Sequence, residues 1–177
     1  MIEQPTLTSS RLLLRPFCLA DAPRVKLYAG DIRIASVSGS IPHPYLDGMA
    51  ETWISAHQPG WKKKRLAAYA LCLRETPEEI IGAISLFDIE GGEAELGYWV
   101  GVPFWGKGYC TEAALVVIKF GFEKLSLTRI HSRHKVRNPA SGRVMQKAGL
   151  QPAAYPGREA DEPMEYYELV KPQAVPA

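Results

Sequence analysis

The sequence predicts an α/β chain of the α+β kind, with one mixed, mostly antiparallel sheet flanked by helices. Three observations carry this expectation. The middle of the chain holds three apolar or alternating segments, Leu66–Leu73, Ile80–Asp88 and Glu93–Val100, separated by turn residues. A long apolar stripe at helical spacing follows, from Tyr109 to Lys124. Elsewhere strands and helices mix without the regular βαβ alternation of a parallel sheet.

The elements follow in order. Leu12-Leu13-Leu14, flanked by arginines, reads as a short strand. Asp21-Ala22-Pro23 opens a helix to about Ala29, with proline tolerated in the first turn. Ser36 to Tyr45 holds Gly39, Pro42 and Pro44 and is expected to be irregular. A helix is expected over Leu46 to His57, with Pro59-Gly60 opposing its extension. Thr76-Pro77 and Gly91-Gly92 read as hairpin connections. On the third central strand Glu93, Glu95, Gly97 and Trp99 share one face, and Ala94, Leu96, Tyr98 and Val100 the other. In the long helix Ala114, Val117, Ile118, Gly121 and Leu125 form the apolar side. Thr128–Arg133 is a strand, Ala140–Ala148 a short helix stopped by Gly149, and Gln151–Tyr155 and Met164–Val170 are closing strands.

Composition narrows the class without naming a function. The chain has 177 residues, 46% hydrophobic and 23% charged, which suits one folded domain over residues 1–177 and excludes intrinsic disorder. Its 21 basic and 19 acidic side chains leave a net charge of +2, so no nucleic-acid partner is expected. The basic run Lys62-Lys63-Lys64-Arg65 reads as a solvated helix end. Cys18, Cys72 and Cys110 are three, odd and widely spaced; they predict no disulfide framework and no metal site, and point to a reducing compartment. Glu3 and Pro5 near the start argue against a secretory leader, and the longest apolar run, Ala113–Ile118, is too short for a bilayer. A cytoplasmic protein without a membrane partner is expected.

The sharpest local feature is Val102-Pro103-Phe104-Trp105-Gly106-Lys107-Gly108-Tyr109-Cys110-Thr111-Glu112-Ala113. It joins a strand to an apolar helix through two glycines. Such a turn aims several backbone N–H groups at one point at a positive helix N-terminus, a natural seat for a pyrophosphate. A tight strand-to-helix turn with no ligand is the other reading, and Lys107 is either a phosphate partner or a solvated lysine. The loop is neither a Walker loop, since Lys107 precedes Gly108, nor a dinucleotide fingerprint, since Cys110 and Thr111 stand where a third glycine is needed. Downstream, Asn138-Pro139-Ala140-Ser141 precedes Lys147-Ala148-Gly149-Leu150. Asn138 reads as a helix cap or a ligand contact, and Ser141 as a first-turn polar residue or a ligand contact.

Taken in order, these segments resemble the GNAT superfamily of acyl-CoA-dependent N-acyltransferases, in its RimJ/RimL-like branch of ribosomal-protein N-terminal acetyltransferases. Thr8–Pro16 with Asp21-Ala22 resembles the branch's first strand and helix, Glu95–Val100 its fourth strand, Trp105–Ala113 its pyrophosphate loop and Asn138–Leu150 its last helix. The generic loop has Gln or Arg at Trp105 and Gly or Ala at Cys110; Cys110 is a small-residue replacement that preserves backbone access.

The resemblance implies a strongly bent sheet whose central strands splay apart around acetyl-CoA. It implies that Tyr98, Trp99 and Val100 hold the pantetheine arm, with a backbone N–H near Trp99 or Val100 facing the oxyanion. Trp105, Gly106, Lys107, Gly108, Tyr109, Cys110 and Thr111 would hold the pyrophosphate, and Asn138 would contact the arm near the thioester. Glu95 is the candidate base, direct or through a water, with a structural carboxylate as the equal alternative. A tyrosine acid common in the superfamily is absent, because Met145 stands there, so Ser141 is the candidate on the thiolate side. A covalent acetyl-Cys110 is not expected, since no histidine is assigned beside it. His43 and Tyr45 are expected to line the acceptor pocket. His131 and His134 fall on opposite strand faces, His57 on a helix surface, and Trp53 and Trp61 in the core or the pocket wall. The implied activity is acetyl transfer to a primary amine, a protein N-terminus or a small molecule, by direct attack in a ternary complex. A non-catalytic acyl-CoA sensor and a nucleotide-phosphate binder are the competing readings. The branch fits a monomer or a homodimer.

Overall fold

The computed structural model describes residues 3–154 and 162–172. Eight strands form one sheet: β1 (Leu7–Thr8), β2 (Leu12–Arg15), β3 (Leu66–Leu73), β4 (Thr76–Glu90), β5 (Glu93–Val100), β6 (Arg129–Lys135), β7 (Gln151–Ala153) and β8 (Met164–Val170). Their spatial order is β1-β2-β3-β4-β5-β6-β8-β7, and every neighbouring pair is antiparallel except β5–β6. The helices are α1 (Ala22–Ala29), α2 (Ile32–Ala35), α3 (Met49–Ser55), α4 (His57–Lys62), α5 (Tyr109–Lys124) and α6 (Pro139–Lys147). None of the helices among the described residues is long and apolar enough to cross a membrane.

The two sheet faces are covered unequally. On one, Leu12, Leu14, Tyr69, Leu71, Ile84, Leu86, Leu96 and Ile130 pack against Ala113, Ala114, Val117 and Phe120 of α5 and against Met145 and Ala148 near α6. On the other, a smaller cluster joins Ala70, Cys72 and Ile80 to Ala22, Val25 and Ala29 of α1 and to Ala50 and Ile54 of α3, with Trp99, Tyr45 and Ile41 at its margin. The charged side chains of β5 and β6, Glu93, Glu95, Arg129 and Arg133, lie on this second face of the sheet, beyond that cluster.

Several element bounds differ from the sequence expectation for local reasons. The helix expected over Leu46–His57 divides: Gly48, at φ +83°, caps α3, and α4 continues through Pro59 to Lys62. Pro59 sits in the first turn of α4, where no N–H is needed. Thr76-Pro77 is not a connection; the turn lies at Arg74-Glu75, and β4 starts at Thr76, paired with Leu73. Gly91 and Gly92 form the expected hairpin, both at positive φ (+58° and +84°), as a two-residue turn with right-handed strand twist requires. The short β1 and α2 carry no pattern long enough to read. The expected last residue of β7, Tyr155, lies outside the described residues. His57 is buried rather than on a helix surface, because its ring packs 4.3 Å from Trp53 and 5.1 Å from Phe17.

Candidate active site

The site begins where the only parallel pair of the described sheet comes apart. Strands β5 and β6 pair at Glu93↔Arg129, Ala94↔Ile130 and Glu95↔His131, and no further rung follows, although both strands continue. At the apex Ser132 Oγ donates to the Leu96 carbonyl at 2.7 Å. Trp105 Nε1 donates to the Val100 carbonyl at 2.9 Å, while Gly101 N–H turns the other way and donates to the Ile81 carbonyl within β4. Alternate residues of a strand point their main-chain groups to opposite sides. The main chain of Leu96, Tyr98 and Val100 therefore faces the gap, and that of Gly97 and Trp99 faces β4. With two carbonyls already engaged, the Tyr98 N–H and C=O and the Val100 N–H line the open fork. The expectation for this strand thus narrows: Trp99 main chain belongs to the β4 ladder, and its side chain packs at the edge of the α1–α3 layer.

At the mouth of the fork the glycine loop runs into α5. Gly108, at φ +79°, is the N-cap and has no side-chain cap; the first N–H of α5 to bond back is that of Glu112, to the Gly108 carbonyl. The N–H groups of Tyr109, Cys110 and Thr111 thus lack intrahelical acceptors, and the helix dipole adds partial positive charge there. Gly106, at φ +75°, would meet nothing within 4 Å with a Cβ, and Gly108 would meet only Arg11 Nη2 at 3.6 Å. Both glycines adopt a conformation that favours the residue, and both border open space that any larger side chain would fill. Lys107 is exposed, its ammonium 5.7 Å from the Phe104 ring.

Arg11 is a component that no sequence signal marks. Its guanidinium lies 4.6 Å over the Tyr109 ring and forms a 2.6 Å ion pair with Glu112. Glu112 also accepts from Ser9 Oγ (2.7 Å), Ser10 Oγ (3.0 Å), Arg11 N–H (2.9 Å) and Arg11 Nε (2.7 Å). Burial opposes its charge, but these hydrogen bonds outweigh burial and hold its pKa down at about 2. The carboxylate clamps the β1–β2 turn onto the first turn of α5 and brings a cation beside the loop.

Helix α6 supplies the next pair. Asn138 makes no side-chain cap bond; its main chain closes the turn instead, through Asn138 N–H to Lys135 O at 2.7 Å and Ser141 N–H to Asn138 O at 3.1 Å. The side chain of Asn138 is thereby free of the capping role. Ser141 meets Tyr98 from β5, with Oγ 2.9 Å from the phenol oxygen. Cys110 lies in the same region; burial pushes its thiol pKa up to about 12, which favours the protonated thiol over the thiolate. Met145 is fully in the core.

The opposite face of the sheet carries Glu95. Its carboxylate accepts from Arg133 Nε at 3.2 Å, and its side chain is 15% exposed, open enough to meet a ligand. His131, its partner across the last rung, stacks on Tyr166 at 5.5 Å, and burial lowers its pKa and keeps it neutral. His131 and His134 do fall on opposite faces, with His134 beside Tyr167 on the α6 side. Beyond the fork, Tyr45, Met49, Thr52, Trp53, Pro42 and Asp47 line an open cavity of about 520 Å³. Tyr45 is in this wall and Trp53 with it; His43 is exposed on the same loop and outside the lining. Trp61 packs on the other core, stacked on Phe120. No cluster of three or more His, Cys, Asp or Glu side chains suited to a metal occurs among the described residues.

Residues 11–151 match the family model described as the acetyltransferase (GNAT) domain. The chain is 29% identical over 148 residues to an uncharacterized N-acetyltransferase, p20, of Bacillus licheniformis, covering 82% of each. The fold superposes on an acetyltransferase from Agrobacterium tumefaciens with a TM-score of 0.81 at 27% identity, over 97% of both chains. It also matches RimL, a ribosomal L7/L12 α-N-protein acetyltransferase in complex with coenzyme A, with a TM-score of 0.81 over 94% of this chain and 98% of that one. At 14% identity the last is a likeness of fold.

Proposed function

Because the chain belongs to the GNAT acetyltransferase family and is an acetyl-CoA-dependent N-acetyltransferase, we propose that it moves the acetyl group directly to a primary amine in a ternary complex. One observation carries this reading: the fork between β5 and β6 opens its free main-chain groups beside an uncapped α5 N-terminus with two left-handed glycines. Both features fit the same long anionic cosubstrate. The pyrophosphate would lie on the amides from Trp105 to Thr111, including Gly106, Lys107, Gly108, Tyr109 and Cys110, with Arg11 as a further cation. The arm would lie along Tyr98 and Val100 and reach the Asn138 side chain.

Acetyl-CoA supplies an acyl thioester already activated for attack. The Tyr98 or Val100 N–H donates to the acyl oxygen as it gains charge. Glu95, on the face away from α5 and α6, takes the amine proton directly or through a water. Ser141, on the α5–α6 side, faces the departing sulfur. Base and thiolate partner thus sit on opposite faces of the sheet, which keeps the amine proton and the leaving thiolate apart.

The acceptor we propose is a peptide N-terminus rather than a polycation. The carboxylates around Glu95 are already neutralised: Glu93 and Glu168 pair with Arg129, Glu95 with Arg133, and Glu162 with Lys135 and Arg137. In the neighbouring cavity the one carboxylate among the lining residues, Asp47, pairs with Lys26. No surplus negative charge is left for a polyamine, while Tyr45, Trp53 and Met49 suit an apolar chain beside a single amine.

Thiol release from acetyl-CoA tests the reading, with N-terminal peptides and polyamines as acceptors. Turnover is expected with peptides. Coenzyme A binding without turnover on any amine favours the sensor reading, and no binding by calorimetry removes both.

A further inference from the structure

Ser141 and Tyr98 are joined more closely than a single hydrogen bond implies. The Tyr98 hydroxyl is 2.9 Å from Ser141 Oγ and also 2.9 Å from the Ser141 carbonyl oxygen. A carbonyl only accepts, so Tyr98 is the donor in that contact. One phenol proton therefore has two acceptors on the same residue. When it sits on the carbonyl, Ser141 Oγ–H donates back to the phenol oxygen. When it sits on Oγ, the Ser141 hydrogen is released to point elsewhere. The two arrangements differ by hydroxyl rotations and need no heavy atom to move.

The surroundings suit a donor that never ionises. Burial drives the Tyr98 pKa far above its ordinary value, and the hydrogen bond with Ser141 offsets only part of this. The Cys110 thiol nearby is also protonated. Met145, one turn beyond Ser141 on the same face of α6, is buried and brings no hydroxyl.

We infer that Tyr98 and Ser141 act as a paired hydroxyl device for the leaving sulfur, with Ser141 donating to sulfur and Tyr98 donating to Ser141. This rests on the acetyl-transfer reading and adds Tyr98 as a positioning residue through its side chain, apart from any role of its main chain. The atoms balance without an acid. The N–C bond forms as the C–S bond breaks, the C–S electron pair stays on sulfur, and the amine proton goes to Glu95. Neither hydroxyl gives up its proton; the thiolate leaves stabilised by hydrogen bonding and is protonated by water. A second donor behind the first polarises it, and donors already aimed at developing charge act on the transition state more than on the ground state. A serine hydroxyl is too weak an acid to give up its proton, and in this arrangement it need only donate a hydrogen bond.

The test is a cycle of Tyr98→Phe, Ser141→Ala and the double variant, with kcat, the KM for acetyl-CoA and the calorimetric Kd for coenzyme A. Tyr98→Phe is expected to lower kcat about tenfold, equivalent to about 1.4 kcal/mol, with KM and Kd within about twofold. Ser141→Ala is expected to lose at least as much, and the double variant to be no slower than Ser141→Ala alone. Unchanged kcat in either single variant, a Kd that weakens in step with kcat, or multiplying losses in the double variant overturns the inference. If Tyr98→Phe does not fold, 3-fluorotyrosine at position 98 keeps the ring and strengthens its donor: it is expected to change kcat in the native background and not in Ser141→Ala, and equal effects in both overturn the pairing. A wild-type chain that binds coenzyme A but transfers nothing overturns the acetyl-transfer reading itself; turnover retained in Tyr98→Phe overturns the pairing alone.

Discussion

Replacing Glu112 by glutamine probes the clamp that holds the β1–β2 turn against the glycine loop and the first turn of α5. In the native chain Oε1 accepts from Ser9, Ser10 and the Arg11 main chain, and Oε2 accepts from Arg11 Nε and pairs with Nη2. Glutamine keeps the first oxygen and sets an amide NH2 against two guanidinium donors. Two charge-assisted bonds are lost. Such bonds contribute roughly 1.5–3 kcal/mol each when shielded, but Arg11 is 49% exposed, and solvent screening reduces the pair to about 2 kcal/mol in total. For a domain of this size that corresponds to a melting point lower by about 4–8 °C near neutral pH. The sign of the pH dependence follows from the carboxyl pKa, held at about 2 against an ordinary 4.5. The folded value is depressed, so the stabilisation is complete above the ordinary value and fades as pH falls toward the folded one. Thermal unfolding of both chains at several pH values, followed by circular dichroism, measures this. The gap should be full above pH ~5 and close toward pH ~2. Equal melting points at neutral pH, or a gap that does not change with pH, refute the reasoning.

Three other substitutions probe separate parts. Gly108→Trp should abolish coenzyme A binding by calorimetry, because the indole fills the open space at the α5 N-terminus; near-native affinity means the loop is not the pyrophosphate seat. Glu95→Gln should lower kcat by a factor of about 10²–10⁴ and leave the coenzyme A Kd nearly unchanged; an unaltered pH–rate profile takes Glu95 out of the base role. His57, buried and neutral with a pKa lowered to about 4, makes the fold fully stable above the ordinary histidine value of about 6.5 and progressively weaker as pH falls from there toward about 4. His57→Phe should remove that acid-side loss, worth up to about 3 kcal/mol, and denaturant unfolding at pH ~7 and ~4 that shows the same loss in both chains contradicts the assignment.

Much of the fold is legible in the chain because short-range patterns impose it. The limits of β3, β5 and α5 follow from apolar periodicity, and the Gly91-Gly92 hairpin follows from the need for two positive φ values. The glycine loop before α5 is legible for the same reason: Gly106 and Gly108 announce a local backbone conformation. The pieces of the site contributed from afar are not. Arg11 and Glu112 are 101 residues apart, and Ser132 reaches Leu96 across 36; nothing in their local sequence marks either meeting. His57 shows the same limit, since its burial depends on Phe17 and Trp53.

By itself, then, the sequence determined the order of elements, the strand faces, the glycine turn and the absence of a surplus of basic charge, because each depends on backbone sterics or on composition. Only the tertiary structure decided which main-chain groups stay free. Strands β5 and β6 run parallel for three rungs and then separate, and that divergence selects Tyr98 and Val100 while leaving the Trp99 main chain in the β4 ladder. It also decided that the Tyr98 hydroxyl meets both oxygens of Ser141 and that the Asn138 side chain is free of its cap. These features join residues distant in the chain, and packing of the whole domain, rather than any local propensity, holds them there.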